Sequence, residues 1–357
     1  MEKKERKSNF ELLRIFAMVL IIAYHYVYHS KYIYGLINDH DFFIRSFWLF
    51  GQVGVNLFML ISGYFLVCSK FSWKKVIKLI LEVTFYYILG IIIYNSLFPQ
   101  FKISFNSIRK FFINGFPIIN GVYWFAPAYI IIYIFSPYIN KMINALSQKE
   151  YKNLLITSLV LWSILPTIFG FFYGTTSSLL FYSSLVGVFI MYLIGGYIRI
   201  YDLKFMNKKS IAFSFYLIFF LIELLAILIM WKLNFRNVYP LYFFDGNSIL
   251  QVLISVSIFM FFKNINMKNN ATINYIASTT FGIYLFHDGI QINVWRYLFE
   301  PSRKLSLPLK YAIPQILFFI LIIFELGMCV DFIRQLLEKI VVDPIFKKIF
   351  DKNKSKE

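Results

Sequence analysis

Ten stretches of this sequence are apolar for long enough to cross the roughly 30 Å of hydrocarbon in a bilayer. They fall at about 10–29, 47–68, 77–98, 122–140, 154–172, 179–198, 211–231, 247–262, 273–292 and 311–331. Backbone polar groups in hydrocarbon must be satisfied within the segment, so runs of this length predict helices. The fold class is therefore all-α, a polytopic membrane helix bundle of about ten transmembrane helices. Composition agrees: 59% of the 357 residues are hydrophobic, too many for a water-exposed surface. The first run is too long for a signal peptide and lacks a small-residue cleavage pattern near Ser30. Residues 1–342 are expected to form one transmembrane domain, with 343–357 a basic cytoplasmic tail.

Lys and Arg number 36 against 18 Asp and Glu. With the N-terminus inside, the cytoplasmic segments carry 24 of these cations and the external loops 11, while Arg14 lies within the first run. The asymmetry predicts both termini in the cytoplasm. It also accounts for the net charge of +18 without nucleic acid, since no nucleic-acid-binding motif accompanies the charge. Cys68 and Cys329 lack metal-site spacing and read as core thiols, and no metal is expected. The longer external connections, 30–46, 99–121, 232–246 and 293–310, carry His40, Trp295, Arg296, Tyr297 and Arg303 and are candidates to cover an outward-facing site.

Ionisable side chains inside hydrocarbon are costly and mark function by default. Arg14 and His25 stand 11 residues apart on the first helix. That is roughly 1100° of rotation, about 20° beyond three full turns, and about 16 Å along the axis. Both therefore project from one face, a cation toward the cytoplasmic side and an imidazole in the outer half. The pair suits a cation holding an anionic donor and a base acting on a hydroxyl. Simpler readings remain open: Arg14 snorkelling beside Glu11, and His25 a core histidine bonded to Tyr24 or Tyr28. His29 reads as solvated at the interface. His287 falls near the outward end of the ninth helix, at a depth similar to that of His25.

On the second helix, Ser62-Gly63 permits close helix contact, and Asn56 needs a partner that is either a substrate or a neighbouring helix. Trp124 lies in an aromatic cluster that fits an interfacial belt or a stacking face for a sugar ring. Glu223 and Glu325 read as buried carboxylates without an evident cation: protonated, paired across helices, or part of a relay.

Taken in order, these residues resemble the acyltransferase-3 group of membrane-bound O-acyltransferases. The resemblance rests on Arg14 followed by ten residues and His25, and on Gly54-Val55-Asn56-Leu57-Phe58-Met59-Leu60-Ile61-Ser62-Gly63-Tyr64. It continues through Tyr123-Trp124-Phe125 leading to Tyr133 and Pro137, and ends at Gly282-Ile283-Tyr284-Leu285-Phe286-His287. Family members often carry Asp where this chain has Asn56, and some carry an additional C-terminal esterase-like domain, which is not expected here.

The resemblance implies transfer of an acyl group, usually acetyl from acetyl-CoA, to a hydroxyl of a cell-surface polysaccharide or lipid-linked sugar. It implies His25 as the catalytic histidine and Arg14 as the acyl-CoA-binding residue, with Asn56, Ser62, Trp124 and His287 in supporting positions. Implied partners are membrane lipid, the glycan acceptor and polysaccharide-biosynthesis proteins, at the cell membrane. The competing class is a polysaccharide exporter whose buried polar residues line a path.

Overall fold

The computed structural model describes residues 6–30, 39–101, 121–173, 184–232 and 246–352. The chain opens with α1 (Ser8–Tyr28), α2 (Asp39–Ser46), α3 (Trp48–Leu66) and α4 (Trp73–Leu97). After α5 (Phe125–Ala145), α6 (Gln148–Leu159) passes through a π-helical turn at Val160–Ile164 into α7 (Leu165–Tyr173). There follow α8 (Ser184–Tyr201), α9 (Lys209–Lys232), α10 (Ile249–Lys263), α11 (Ala271–Ser278) and α12 (Thr280–His287). The last elements are α13 (Gln291–Phe299), α14 (Pro301–Leu305), α15 (Leu309–Leu337) and, beyond a second π turn at Glu338–Val342, α16 (Asp343–Lys352).

No strand occurs among the described residues. Six described helical stretches are long and apolar enough to cross a membrane: Ser8–Tyr28, Trp48–Leu66, Trp73–Leu97, Gln148–Phe169, Lys209–Ile229 and Leu309–Ile349. Leu185–Tyr201 and Ile249–Lys263 are apolar but shorter. The α9 stretch is only 17% buried although strongly apolar. Its outward Leu217, Leu221 and Leu225, with Leu317 and Leu321 of α15, form a surface suited to lipid rather than to water. The chain is thus a multi-pass helical membrane bundle.

Helix α1 stands at the centre, packed against α3, α10, α11, α12 and α15. Glycine makes the tightest crossings possible. A Cβ on Gly54 of α3 would come within 2.7 Å of the Ala17 carbonyl of α1. Gly63 of α3 similarly abuts the Tyr192 carbonyl, and Gly195 of α8 abuts that of Leu60. The Ser62-Gly63 step accordingly serves close packing, with the Ser62 hydroxyl donating to the Phe58 carbonyl of its own helix at 2.8 Å.

The ninth apolar run is not one helix. It breaks at Thr279, where the Thr279 hydroxyl donates to the Ile276 carbonyl at 2.8 Å and the Thr280 hydroxyl to the Ala277 carbonyl at 2.9 Å. These hydroxyls occupy carbonyls at the end of α11, which makes the break tolerable in a buried position. Helix α12 then stops at His287, where Asp288 is extended and Gly289 takes φ +68°. A side chain at Gly289 would meet the Tyr123 ring at 2.8 Å in addition to straining the backbone.

Other expectations change with packing. The connection 293–310 contains α13 and α14, and Trp295 is buried beneath the site rather than lying over it. Cys68 and Cys329 are exposed, not core thiols. Glu325 faces outward from α15, whereas Glu223 is fully buried and accepts from Gln251 Nε2 at 2.9 Å. The connections 99–121 and 232–246 lie almost wholly outside the described residues, as does the start of the sixth apolar run.

At the α4–α15 contact, Arg334 is the hub of a buried ion network. Its Nε meets Asp331 at 2.6 Å, Nη1 meets Glu338 at 2.7 Å and Nη2 meets Glu82 at 3.1 Å. The Tyr86 hydroxyl also donates to Asp331, at 2.9 Å. This fork ties α4 to α15 and thereby fixes α12, which packs against both.

Candidate active site

Two imidazoles from distant parts of the chain meet near the ends of their helices. His25, near the end of α1, is 6% exposed, and His287, the last residue of α12, is fully buried. Their Nδ1 and Nε2 atoms, respectively, lie 3.0 Å apart. The other nitrogen of His287, Nδ1, lies 2.7 Å from the Ile283 carbonyl one turn earlier. A carbonyl only accepts, so His287 Nδ1 carries the proton. Neutral His287 then presents a lone pair at Nε2, and His25 Nδ1 donates to it. The consequence is a fixed tautomer for His25, with its basic lone pair on Nε2.

Packing holds the pair in this orientation. The Trp295 indole donates to the His287 carbonyl at 2.8 Å, and Trp295 stacks with Tyr26 and tilts against Phe319. On the other side, the Tyr123 hydroxyl donates to the Leu285 carbonyl at 3.2 Å and contacts Gln291 at 3.3 Å. Gln291 in turn donates to the Tyr86 carbonyl at 2.9 Å, so α4, α12, α13 and the start of α5 are linked around the histidines.

His25 lines a cavity of about 360 Å³. Its wall along α1 continues through Met18, Ile21, Tyr24, Tyr28 and His29; α3 supplies Gln52, and the opposite side supplies Trp124, Phe125, Tyr284 and Asp288. A mostly apolar enclosure rich in aromatic rings, with a few convergent polar groups, is the usual form of a small-ligand site. Trp124 is among the residues that line this cavity.

The remaining residues singled out by sequence divide clearly. Arg14 lies on the same stripe as His25, one turn before Met18 at the cavity wall, but does not itself line the cavity. Its Nη1 pairs with Glu11 at 3.1 Å, the side chain is about one-third exposed, and it lies within electrostatic reach of the Tyr129 phenol. Asn56 is buried outside the cavity and donates to the Gly246 carbonyl at 2.7 Å, which is the bracing arrangement. Ser62 bonds within its own helix. His287 stands behind His25 rather than in the cavity.

Sequence reasoning passed over Gln52 and Asp288, quoted Tyr284 only as part of a motif without a role, and left His29 to solvent. In the structure His29 lines the cavity, partly buried, near Asp288. Ligand atoms of His25, His29 and Asp288 all lie within 4.8 Å of one another, a set able to hold a metal ion. The signal available for Asp288 is its place directly after His287 and before Gly289 at a helix end.

Fold and cavity together define a polytopic helical membrane protein with a cavity lined by two imidazoles. The family follows from comparison with known proteins: the model described as an acyltransferase domain, that of the acyltransferase-3 family, matches residues 7–330. The chain belongs to that family and is a membrane acyltransferase. No match was found among curated proteins or among solved structures.

Proposed function

We propose that this protein moves an acyl group, acetyl from acetyl-CoA, to a hydroxyl of a cell-surface polysaccharide or lipid-linked sugar. The observation that carries the reading is the His25–His287 pair, which leaves the His25 Nε2 lone pair for a cavity lined by aromatic rings. His25 Nε2 takes the proton of the acceptor hydroxyl as its oxygen attacks the thioester carbonyl. The tetrahedral oxyanion collapses, the C–S bond breaks, and the imidazolium returns its proton to the departing thiolate. Gln52, the cavity amide, is the suitable donor for the oxyanion. Arg14, one turn below the cavity, holds a phosphate of the coenzyme through its guanidinium fork.

The topology that serves this chemistry has ten crossings with both termini in the cytoplasm of a cell-membrane protein. The donor then enters from below and the glycan from above. Residues 1–342 carry the activity, and 343–357 form the basic cytoplasmic tail. The partners are membrane lipid, the glycan and polysaccharide-biosynthesis proteins.

The test compares the wild type with His25→Ala in membranes carrying equal amounts of each protein. Loss of acetyl esters from the surface polymer, with its export unchanged, is the expected result. Wild-type ester content in the variant would refute the base, and lost export with intact esters would favour an exporter.

A further inference from the structure

Three groups converge at the cavity for which direct acyl transfer requires only one. His25, His29 and Asp288 place their ligand atoms within 4.8 Å of one another. Tetrahedral zinc, with Zn–N distances of about 2.0–2.1 Å, wants its ligands about 3.3 Å apart. Small rotamer adjustments around a shared centre therefore suffice. Asp288 is 5% exposed and lines the cavity from the turn after α12, directly before Gly289 with its φ of +68°.

Behind His25, an imidazole plays the orienting part that a carboxylate, carbonyl or water usually plays behind a metal-ligating histidine. His25 Nδ1 donates to His287 Nε2, and His287 is itself anchored on the Ile283 carbonyl. That arrangement fixes the tautomer and orients the ring. Two imidazoles and one carboxylate form a borderline-soft set that selects zinc and its late-transition neighbours over magnesium or calcium. The fourth position would face the cavity.

We propose that His25, His29 and Asp288 form a zinc-type divalent metal site whose occupation silences transfer. A metal ion bonded to His25 Nε2 uses the lone pair that otherwise takes the acceptor's proton. It also occupies the space where the acceptor hydroxyl must approach. The silencing rests on the function proposed above, whereas the binding does not.

The experiment uses chelator-treated full-length protein in detergent micelles, titrated calorimetrically with zinc chloride and assayed in parallel for transfer. The expected result is one saturable zinc per chain, not displaced by millimolar magnesium or calcium, with transfer reduced at least tenfold and restored by chelator. His29→Gln and Asp288→Asn, each checked by thermal melting for a folded state, should weaken zinc binding at least tenfold. His40→Gln should leave it unchanged, because His40 is bound elsewhere, to the Leu307 carbonyl. Absence of saturable binding, unchanged affinity in both folded site variants, or stimulation by zinc would overturn the proposal. Full transfer by His25→Ala would instead remove the base, while the calorimetric result would still decide the metal site.

Discussion

Nδ1 of His25 lies 3.0 Å from Nε2 of His287, across 262 residues of sequence. Because His287 is anchored on its own helix, its effect on catalysis is to dictate which nitrogen of His25 is basic. His287→Leu should lower kcat about 10- to 100-fold, the range known for groups that orient metal-ligating imidazoles, with KM for the donor nearly unchanged. His287→Gln, whose carbonyl can accept from Nδ1, should recover part of the loss. Equal activity of the wild type and the Leu variant would reduce the pair to packing.

Trp124 contributes an aromatic face to the cavity. Stacking of that kind is worth about 0.5–1.5 kcal/mol. Trp124→Ala should therefore raise KM for the glycan acceptor about threefold to tenfold, with Trp124→Phe in between. Initial rates at varied acceptor concentration check it; a change confined to the KM for the acyl donor would contradict the stacking role.

Gly63 packs directly on the Tyr192 carbonyl. Gly63→Ala should cost about 1–3 kcal/mol through overpacking, read as a lower melting midpoint in detergent and less monodisperse protein. An unchanged midpoint would mean that α3 and α8 separate freely.

Arg334 neutralises a carboxylate cluster that has few other cations. Removing one partner of a buried ion pair costs about 3–5 kcal/mol because a charge is left uncompensated. Arg334→Met should be strongly destabilised, and addition of Asp331→Asn should restore part of the loss. A double variant no more stable than the single one would argue against the charge explanation.

Asp202, in the turn after α8, is subject to opposing effects. Burial alone would raise its pKa, but hydrogen bonds from Lys263, Asn207 and the Leu203 N–H hold it below the ordinary value of 3.8. A depressed carboxyl stabilises the fold above its unfolded pKa, and this stabilisation is lost as pH falls through the folded value. Thermal midpoints should drop below about pH 4, and Asp202→Asn should flatten that acid limb. An identical acid limb in the variant would remove Asp202 as its source.

Hydropathy alone located segments that become helices, and periodicity put Arg14 and His25 on one stripe, because both depend only on local spacing. The contact between His25 and His287 was legible only as similar depth, since pairing depends on how α1 and α12 pack. Asp288 escaped notice because its role depends on a turn, set by the positive φ of Gly289, inside a run that reads as continuous helix. Trp295 was misjudged for the related reason that amphipathic helices α13 and α14 occupy what looks like a polar loop. Asn56 shows the limit of residue type: an amide can brace or bind, and only the Gly246 carbonyl decided which it does here.

The brevity of α12 has one further consequence. With only 8 residues between the Thr279 break and the Asp288 turn, there is no slack to absorb a length change. One residue inserted there would swing the imidazole about 100° around the helix axis, aiming it away from its partner. The number of residues in this short helix is thus as much a part of the site as the imidazole it carries.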